Sequence, residues 1–192
     1  IPTMGGQGIH PYPAIRQGGT VNLAYHKTAS QSSTYQGAEA SRAVDGNKDS
    51  IWAGNSVTHT DPGASDPWWE LDLEVPSVIR TIIVYNSDYM PERLDGALVS
   101  LHRENSNGVR EMLEGSEREI VGTSQPVHII DFTDAVHVAT RVRIRLPGAG
   151  KVLTMTEVEV MGFRSSGFYF SPFTDDVALD PDNLPLSLCQ GL

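Results

Sequence analysis

TRVRIRL (Thr140 to Leu146) is the stretch of sequence that decides the fold. Its apolar residues Val142, Ile144 and Leu146 alternate with three arginines. A period of two is typical of a strand with one buried face and one solvent-facing face. The same alternation recurs in LTMTEVEVM (residues 153–161), where two glutamates alternate with two valines. Both segments are therefore predicted to be strands.

Three further segments upstream predict strands: IRTIIVYN (79–86), ALVSLH (97–102) and VHIIDF (127–132). Turn-forming residues separate them, as in NSNG (105–108) and PGAG (147–150). No segment has the apolar repeat of an amphipathic helix of three turns or more. Short strands without helical partners predict an all-β fold, an antiparallel sandwich or jelly roll with its binding sites on the loops at one end.

The length of 192 residues suits one domain with tails. Residues 1–19 hold five glycines and three prolines without periodicity, which predicts an N-terminal tail or linker. The domain is expected to span residues 20–163. Residues 164–192 are rich in Pro and Asp and form an extension that is either an ordered strap, a linker, or both. Four aromatic residues favour docking of this extension onto the domain, namely Phe168, Tyr169, Phe170 and Phe173.

The net charge of −10 argues against nucleic acid and anionic membranes as partners, because both are bound largely through Lys and Arg. No run approaches the eighteen or so apolar residues of a spanning helix. The lone cysteine, Cys189, excludes an intrachain disulfide but leaves the compartment open. The chain begins at Ile1 without a signal peptide, which suggests a processed chain or a piece of a longer one.

Four blocks of sequence, taken in order, resemble the F-type lectins, the fucose-binding branch of the discoidin-like domains. They are NLAYHKTASQSS (22–33), AVDGNKDS (43–50), THTDPGASDPWWELDL (58–73) and ERLDG (92–96). The resemblance covers Val21 to Phe163. It implies an eight-stranded, discoidin-like jelly roll with one bound calcium ion, a shallow sugar site at the loop end, and a secreted or cell-surface location.

The family's sugar motif is a His followed 27 positions later by Arg-x-Asp-x-x-x-x-Arg or Lys. Here the corresponding residues are His59, Asn86, Asp88 and Arg93. A sugar's vicinal hydroxyls need convergent donors, which a guanidinium supplies in a rigid fork and an imidazole supplies singly. Asp88 is expected to pair with Arg93 and fix its rotamer before the sugar arrives. Without the family, His59 would be read as a locally bonded loop histidine, and Asp88 with Arg93 as a surface ion pair.

Two departures from the motif affect specificity. Asn86 is shorter than the family's arginine and uncharged, so the loss of one charge-assisted hydrogen bond of roughly 1.5–3 kcal/mol is expected to weaken fucose binding. Tyr89 and Met90 stand where the family commonly has two adjacent, disulfide-linked cysteines beneath the sugar, and a Tyr ring can replace that apolar platform. Tyr35 and Trp52 are expected to complete the pocket, although Trp52 can equally be a core residue.

The segment from Arg42 to Ser50 resembles the family's calcium loop. Calcium takes six to eight oxygen ligands, so the loop alone is insufficient. The resemblance implies side-chain ligands from Asp45, Ser56 and Glu157, and main-chain carbonyl ligands from Arg42, Asn47 and Thr156. The alternative is a plain turn in which Asp45 caps backbone amides. Val57 and Thr156 replace a disulfide common in the family, which would leave the ion as the staple between these two elements.

No arrangement typical of an enzyme is visible in the sequence. The six histidines lack a zinc spacing, no Gly-rich phosphate loop follows a strand, and the acidic residues fall on turns and outer strand faces, where they are interpreted as a solvated surface. The sequence therefore predicts a glycan-binding domain without activity of its own. Its weak single site would gain strength from oligomers or a larger parent protein. The alternative is a discoidin-like adhesion module that binds protein or another glycan.

Overall fold

The computed structural model describes residues 20–105, 107–122 and 125–165, together with the backbone of two further strands. The strands of the whole described structure are β1 (Val21–Asn22), β2 (Ala29–Gln31), β3 (Thr58–His59), β4 (Trp68–Tyr85), β5 (Leu98–Glu104), β6 (Arg110–Met112), β7 (Arg118–Glu119), β8 (Val127–Asp131), β9 (His137–Arg145), β10 (Thr154–Met155) and β11 (Glu157–Arg164). The two further strands are β12 (Phe168–Phe170) and β13 (Val177–Leu179). Three short 3₁₀ helices lie at Ala40–Val44, Trp52–Gly54 and Pro91–Leu94.

Nine of these strands form one antiparallel sheet, in which β1, β11, β4, β9, β5 and β6 follow each other in space. The strands β2 and β8 also pair with β4, and β7 pairs with β5. Strand β3 pairs with β10 in a separate ladder. The strands β12 and β13 pair with each other.

The long strand β4 turns the sheet into a sandwich. Its first part pairs with β2 and β9, and its second part pairs with β11, β8 and the start of β9. The register shifts between Asp72 and Ser77, where Glu74 adopts a φ of 67° and its N–H donates to the Asp72 carboxylate at 2.8 Å. This bend lets the two parts of the sheet cover one core.

The core lies between the two parts of the sheet and is built from alternate residues of each strand. Trp69 and Leu71 from the first part of β4 pack in the same cluster as Ile82, Val142 and Val160. The Trp69 indole N–H donates to the carbonyl of Ala40 at 3.0 Å, so the buried ring also anchors the first 3₁₀ helix. The alternation read in residues 140–146 is confirmed, because Val142, Ile144 and Leu146 are buried.

One charged side chain is buried on the opposite face of the sheet. Glu70 is only 3% exposed and lies under the arginines of β6 and β9. Its carboxylate accepts from Arg110 at 2.6 Å and from Arg143 at 3.0 Å, and Arg141 lies 3.7 Å away. The interpretation of the acidic residues as a solvated surface is therefore wrong at Glu70.

The predicted fold class is confirmed as an all-β, antiparallel sandwich. The described residues form more than the expected eight strands, because the edges of the sheet divide into strands of two or three residues. The predicted tail at 1–19 lies outside the described residues, as do Cys189 and most of the extension at 164–192, whose aromatic side chains are not described. The domain boundaries stay predictions. None of the described helices is long and apolar enough to cross a membrane.

Candidate functional site

His59 lies at the centre of a cluster of aromatic rings at the loop end of the sandwich. It is the last residue of β3, where it pairs with Thr154 of β10, and its side chain is buried. The Tyr35 ring lies 4.9 Å from the imidazole, and the edge of Trp52 approaches it at 5.5 Å between centroids. Trp52 is 37% exposed, so the alternative in which it is a core residue is wrong.

The hydrogen bonds of His59 define its tautomer. Its Nδ1 lies 2.6 Å from the carbonyl oxygen of Thr60, which can only accept, so Nδ1 carries the proton. Its Nε2 lies 3.0 Å from Nη1 of Arg93, which can only donate, so Nε2 accepts. Burial lowers the pKa of His59, and the charge of Arg93 acts in the same direction. Both ring nitrogens of His59 are thus engaged within the protein, Nδ1 as a donor and Nε2 as an acceptor, and its expected donor contact to a sugar stays a prediction.

Arg93 lies on the 3₁₀ helix Pro91–Leu94, directly after a tight turn. Met90 caps this helix with a left-handed backbone (φ 54°), and the Arg93 N–H donates to the Met90 carbonyl at 3.0 Å. The guanidinium lies 5.7 Å from the centroid of the Tyr89 ring, in the range of a cation–π contact. Arg93 therefore joins two parts of the site, the imidazole of His59 and the ring of Tyr89.

A cavity of about 280 Å³ opens beside these side chains. Five residues line it: Tyr35, Gln36, Trp52, His59 and Tyr89. Its walls are mostly aromatic, which suits a ligand with an apolar face and a few polar groups. Four of the five were predicted from the sequence, and Met90, 40% exposed, lies beside the cavity in the chain without lining it. Gln36 was missed, because no motif marks it.

Arg93 contacts two lining residues, His59 and Tyr89, but does not line the cavity itself, and the structure places the other two residues of the sugar motif away from the cavity walls. Asn86 is buried, and its Nδ2 donates to the carbonyls of Pro91 at 2.9 Å and Gln125 at 3.4 Å. Asp88 is exposed, and in the described part of the chain it makes no ion pair with Arg93. The expected Asp88–Arg93 pair is therefore wrong. His59, not Asp88, holds the guanidinium.

The predicted metal loop contacts the start of β11 through Glu157. This carboxylate is fully buried, and its Oε1 accepts from the Gly46 N–H at 3.1 Å. Its Oε2 is buried without a hydrogen-bond partner among the described residues. Burial raises the pKa of Glu157 to about 7, and the nearby charge of Asp45 acts in the same direction. A buried, unsatisfied carboxylate beside a second carboxylate is an arrangement that a cation would stabilise.

The remaining predicted metal ligands lie on segments that are bonded to one another. The Asp45 carboxylate accepts from the Asn47 N–H at 2.8 Å, and the Ser56 hydroxyl donates to the Asp49 carbonyl. Two more side chains are turned to backbone carbonyls, Arg42 to Val57 at 3.2 Å and Thr156 to Tyr85 at 3.2 Å. In Arg42 and Thr156 the main-chain carbonyl, not the side chain, is the predicted ligand. The described residues contain no group of three or more His, Cys, Asp or Glu side chains placed for a metal ion, so any cation here needs carbonyl ligands.

Lys48 fastens the predicted metal loop to the sheet. Its ammonium donates to Glu159 of β11 at 2.6 Å and to the Tyr85 hydroxyl at 2.9 Å. The hydrogen bond to Glu159 raises the pKa of Lys48, and the bond to Tyr85 adds to this effect. Lys48 therefore stays charged, and the loop is tied to β11 by this contact as well as by Glu157.

The fold and the loop-end cavity define a discoidin-like binding domain, and comparison with known proteins agrees. Residues 42–144 match the model of a family described as a NedA-like, galactose-binding domain. A fucolectin of Anguilla anguilla is 30% identical over 146 residues, which are 72% of this chain and 89% of that protein. Fucolectin-6 of Anguilla japonica is 38% identical over 90 residues, 44% of this chain and about half of its own length.

Solved structures similar to this chain belong to the same kind of protein as these relatives. A fucose binding module of Streptococcus pneumoniae is 30% identical with a TM-score of 0.65, over 77% of this chain and 98% of the module. The lectin domain of lectinolysin, solved with the Lewis B antigen, is 32% identical with a TM-score of 0.64, over 76% and 98% of the two chains. The chain belongs to the F-type lectin, or fucolectin, family. These relatives are lectins and binding modules.

Proposed function

We propose that this domain is a lectin that binds fucose or a closely related neutral sugar on extracellular glycans, in the cavity beside His59 and Arg93. The single observation that carries the proposal is the 3.0 Å hydrogen bond between Nε2 of His59 and Nη1 of Arg93 at the wall of an aromatic cavity. The family relation supports the same function.

Each part of the site has a distinct role in this proposal. The guanidinium of Arg93 is held in place by His59 and Tyr89 before any ligand binds, so little side-chain entropy is lost when its remaining N–H groups donate to sugar hydroxyls. The rings of Trp52 and Tyr89 can pack against the C–H face of the sugar. Asn86 keeps the turn before Arg93 in shape, because its amide binds the Pro91 carbonyl.

Replacing Arg93 by alanine is expected to weaken fucose binding about 10- to 100-fold, because charge-assisted hydrogen bonds contribute roughly 1.5–3 kcal/mol. His59→Ala should have an effect of similar direction, since it releases the guanidinium. Both variants are tested on a glycan array and by calorimetric titration with L-fucose. Arg164→Ala, on the exposed end of β11, is the control and should bind as wild type does. Equal binding by all four proteins would show that the sugar lies elsewhere.

Fucose binding is expected to be constant from neutral pH down to about pH 6.5 and to fall at more acidic pH. The pKa of His59 is lowered by burial, so the imidazole stays neutral to a lower pH than an ordinary histidine does. Protonation would remove the acceptor at Nε2 and place two cations 3.0 Å apart. Titration of the dissociation constant against pH measures this. A midpoint above pH 6.5 would contradict the lowered pKa of His59.

We further propose that a calcium ion binds between the loop that follows the first 3₁₀ helix and the start of β11. Its ligands would be the side chains of Asp45, Ser56 and Glu157 and the carbonyls of Arg42, Asn47 and Thr156. The unpartnered Oε2 of Glu157 supports a cation at this place. Bound there, calcium would neutralise the buried carboxylate and hold the loop against the sheet, a structural role.

An adhesion module that binds a protein is the second candidate. It is favoured by apolar side chains exposed at the same end of the domain, with Ile51 53%, Met90 40% and Tyr89 63% exposed. If no glycan on the array binds the wild-type domain, this candidate replaces the lectin proposal. In either case a single site is expected to be weak, so strong adhesion would need several copies, supplied by oligomers or by a longer parent protein.

A further inference from the structure

Gln36 is a polar residue of the cavity that the sugar motif does not include. Its side chain lines the cavity, and its Nε2 donates to the hydroxyl of Tyr35 at 2.9 Å. Asn86, which occupies the position of a family arginine, does not line the cavity and spends its amide N–H groups on backbone carbonyls. Asn86 therefore does not replace the donor that the family's arginine supplies, and Gln36 is the polar residue of the cavity that can supply one.

The backbone on both sides of Gln36 is fixed beside the cavity by hydrogen bonds. Gln36 has a φ of 47°, in the left-handed region that L residues other than Asn and Asp rarely adopt. The flanking residues are bonded to β3, because the Tyr35 N–H donates to the His59 carbonyl at 2.9 Å and the His59 N–H donates to the Ala38 carbonyl at 3.2 Å. The Nε2 of Gln31 adds a bond to the Ala38 carbonyl at 2.9 Å.

We propose that the carboxamide of Gln36 is the second polar contact of the sugar site, so that the sugar is gripped from two loops, by Gln36 on one and Arg93 on the other. This inference rests on the proposed lectin function and deepens it. Tyr35 supports the contact, because its hydroxyl accepts from Nε2 and thereby orients the amide. Gln36 compensates for the guanidinium that is absent at position 86, and it determines which sugar is accepted.

The chemistry of these two contacts selects a neutral sugar. A carboxamide both donates and accepts, a guanidinium only donates, and a sugar hydroxyl can serve as partner to either. A sugar carboxylate only accepts, so it cannot use the carbonyl oxygen of Gln36, and the net charge of −10 of the chain disfavours an anionic ligand. A neutral hexose or deoxyhexose, such as D-galactose or L-fucose, is therefore the favoured class over an acidic sugar such as N-acetylneuraminic acid.

Two substitutions at Gln36 separate a binding role from a structural one. Gln36→Ala is expected to weaken L-fucose binding about 3- to 10-fold, the range for loss of a neutral hydrogen bond. Gln36→Gly should lose the same affinity while its thermal midpoint stays equal or rises, because glycine adopts the left-handed backbone without strain. Asn55→Gly is the matched control, since Asn55 has a φ of 56° but does not line the cavity. It should keep full affinity.

Calorimetric titration of L-fucose, D-galactose and N-acetylneuraminic acid into these four proteins, with thermal melts of each, decides the matter. Wild type that binds none of the three would overturn the proposed function and this inference together. Wild type that binds L-fucose no better than both Gln36 variants do would overturn the inference alone. A lower midpoint in Gln36→Gly together with lost affinity would show a structural role, and preference for N-acetylneuraminic acid would refute the neutral-sugar class.

Discussion

Glu70→Ala is expected to lower the free energy of unfolding by about 2–4 kcal/mol. Glu70 is 3% exposed, and its carboxylate is the shared acceptor for Arg110 at 2.6 Å and Arg143 at 3.0 Å, with Arg141 at 3.7 Å. Removing the carboxylate takes this counter-charge from Arg110 and Arg143, whereas Arg141 keeps Asp72 at 3.1 Å. The arginines keep 18–49% of their side-chain surface exposed and regain some hydration, so the loss is smaller than for a fully buried pair.

Urea unfolding of the wild type and the variant measures this loss, with an unchanged slope showing that the folded state is otherwise intact. Glu74→Ala is the control. Glu74 also pairs with a cation, Lys27 at 2.5 Å, but 54% of its side-chain surface is exposed, so its loss should cost less than about 1 kcal/mol. Glu70→Gln keeps the side-chain volume and should also destabilise. If Glu70→Ala costs no more than Glu74→Ala, the ion cluster contributes nothing beyond a surface pair.

The burial of Glu70 could not be predicted from the alternating pattern that predicts the strands. Alternation separates a core face from an outer face, as it does for Val142 and Arg143. It does not show that long arginines from neighbouring strands fold over one carboxylate on the outer face. The burial of Glu157, which the resemblance named as a metal ligand, could not be read from the alternation either, because the loop that crosses it covers it. Burial on an outer face depends on which strands are neighbours, and this is a property of the topology.

The strand pattern was read correctly where it was uninterrupted. The predicted strand at 79–86 is the second part of β4, but the first part, from Trp68, was not predicted, because the bend before Ser77 breaks the period. The predicted strand at 153–161 is interrupted at Thr156, which separates β10 from β11. Local irregularities of this kind depend on pairing with distant strands, which a local pattern cannot show.

The candidate site was predictable as a set of residues but not as a set of contacts. The resemblance to F-type lectins identified His59, Trp52 and Tyr89, which line the cavity, and Arg93, which contacts His59 and Tyr89. It did not predict that the two key residues bond directly to each other. A motif fixes which residue types recur at which spacing. The partner of a guanidinium depends on rotamers and loop conformation, and so does the placement of Gln36, which no spacing rule marks.

Calcium is expected to raise the thermal midpoint of the wild-type domain by about 5–10 °C at a concentration 100-fold above its dissociation constant. Binding to the folded state alone contributes RT ln(1 + [L]/Kd), about 2.7 kcal/mol at that ratio, and each kcal/mol shifts the midpoint of a domain of this size by about 2–4 °C. Melting in excess EDTA and in added calcium measures the difference. Magnesium should have a smaller effect, because it binds poorly to flexible sets of protein oxygens.

The Glu157→Gln variant should distinguish the contribution of calcium to stability from the effect of the substitution on packing. In EDTA this variant should be as stable as the wild type or more stable, because a neutral amide replaces a buried carboxylate that has an unsatisfied oxygen. In calcium it should show no increase, since the ion loses its most buried charged ligand. Opposite effects in the two conditions cannot arise from a simple packing defect, which would destabilise the domain in both.

Glu159→Gln is the matched control for this experiment. Glu159 lies two residues along the same face of β11 and is partly exposed, and it accepts from Lys48 of the predicted metal loop at 2.6 Å. Its substitution should weaken the attachment of the loop slightly while leaving the response to calcium in place. A wild type with the same midpoint in EDTA and in calcium would refute the metal site. The unpartnered oxygen of Glu157 would then be a cost that the fold carries without an ion.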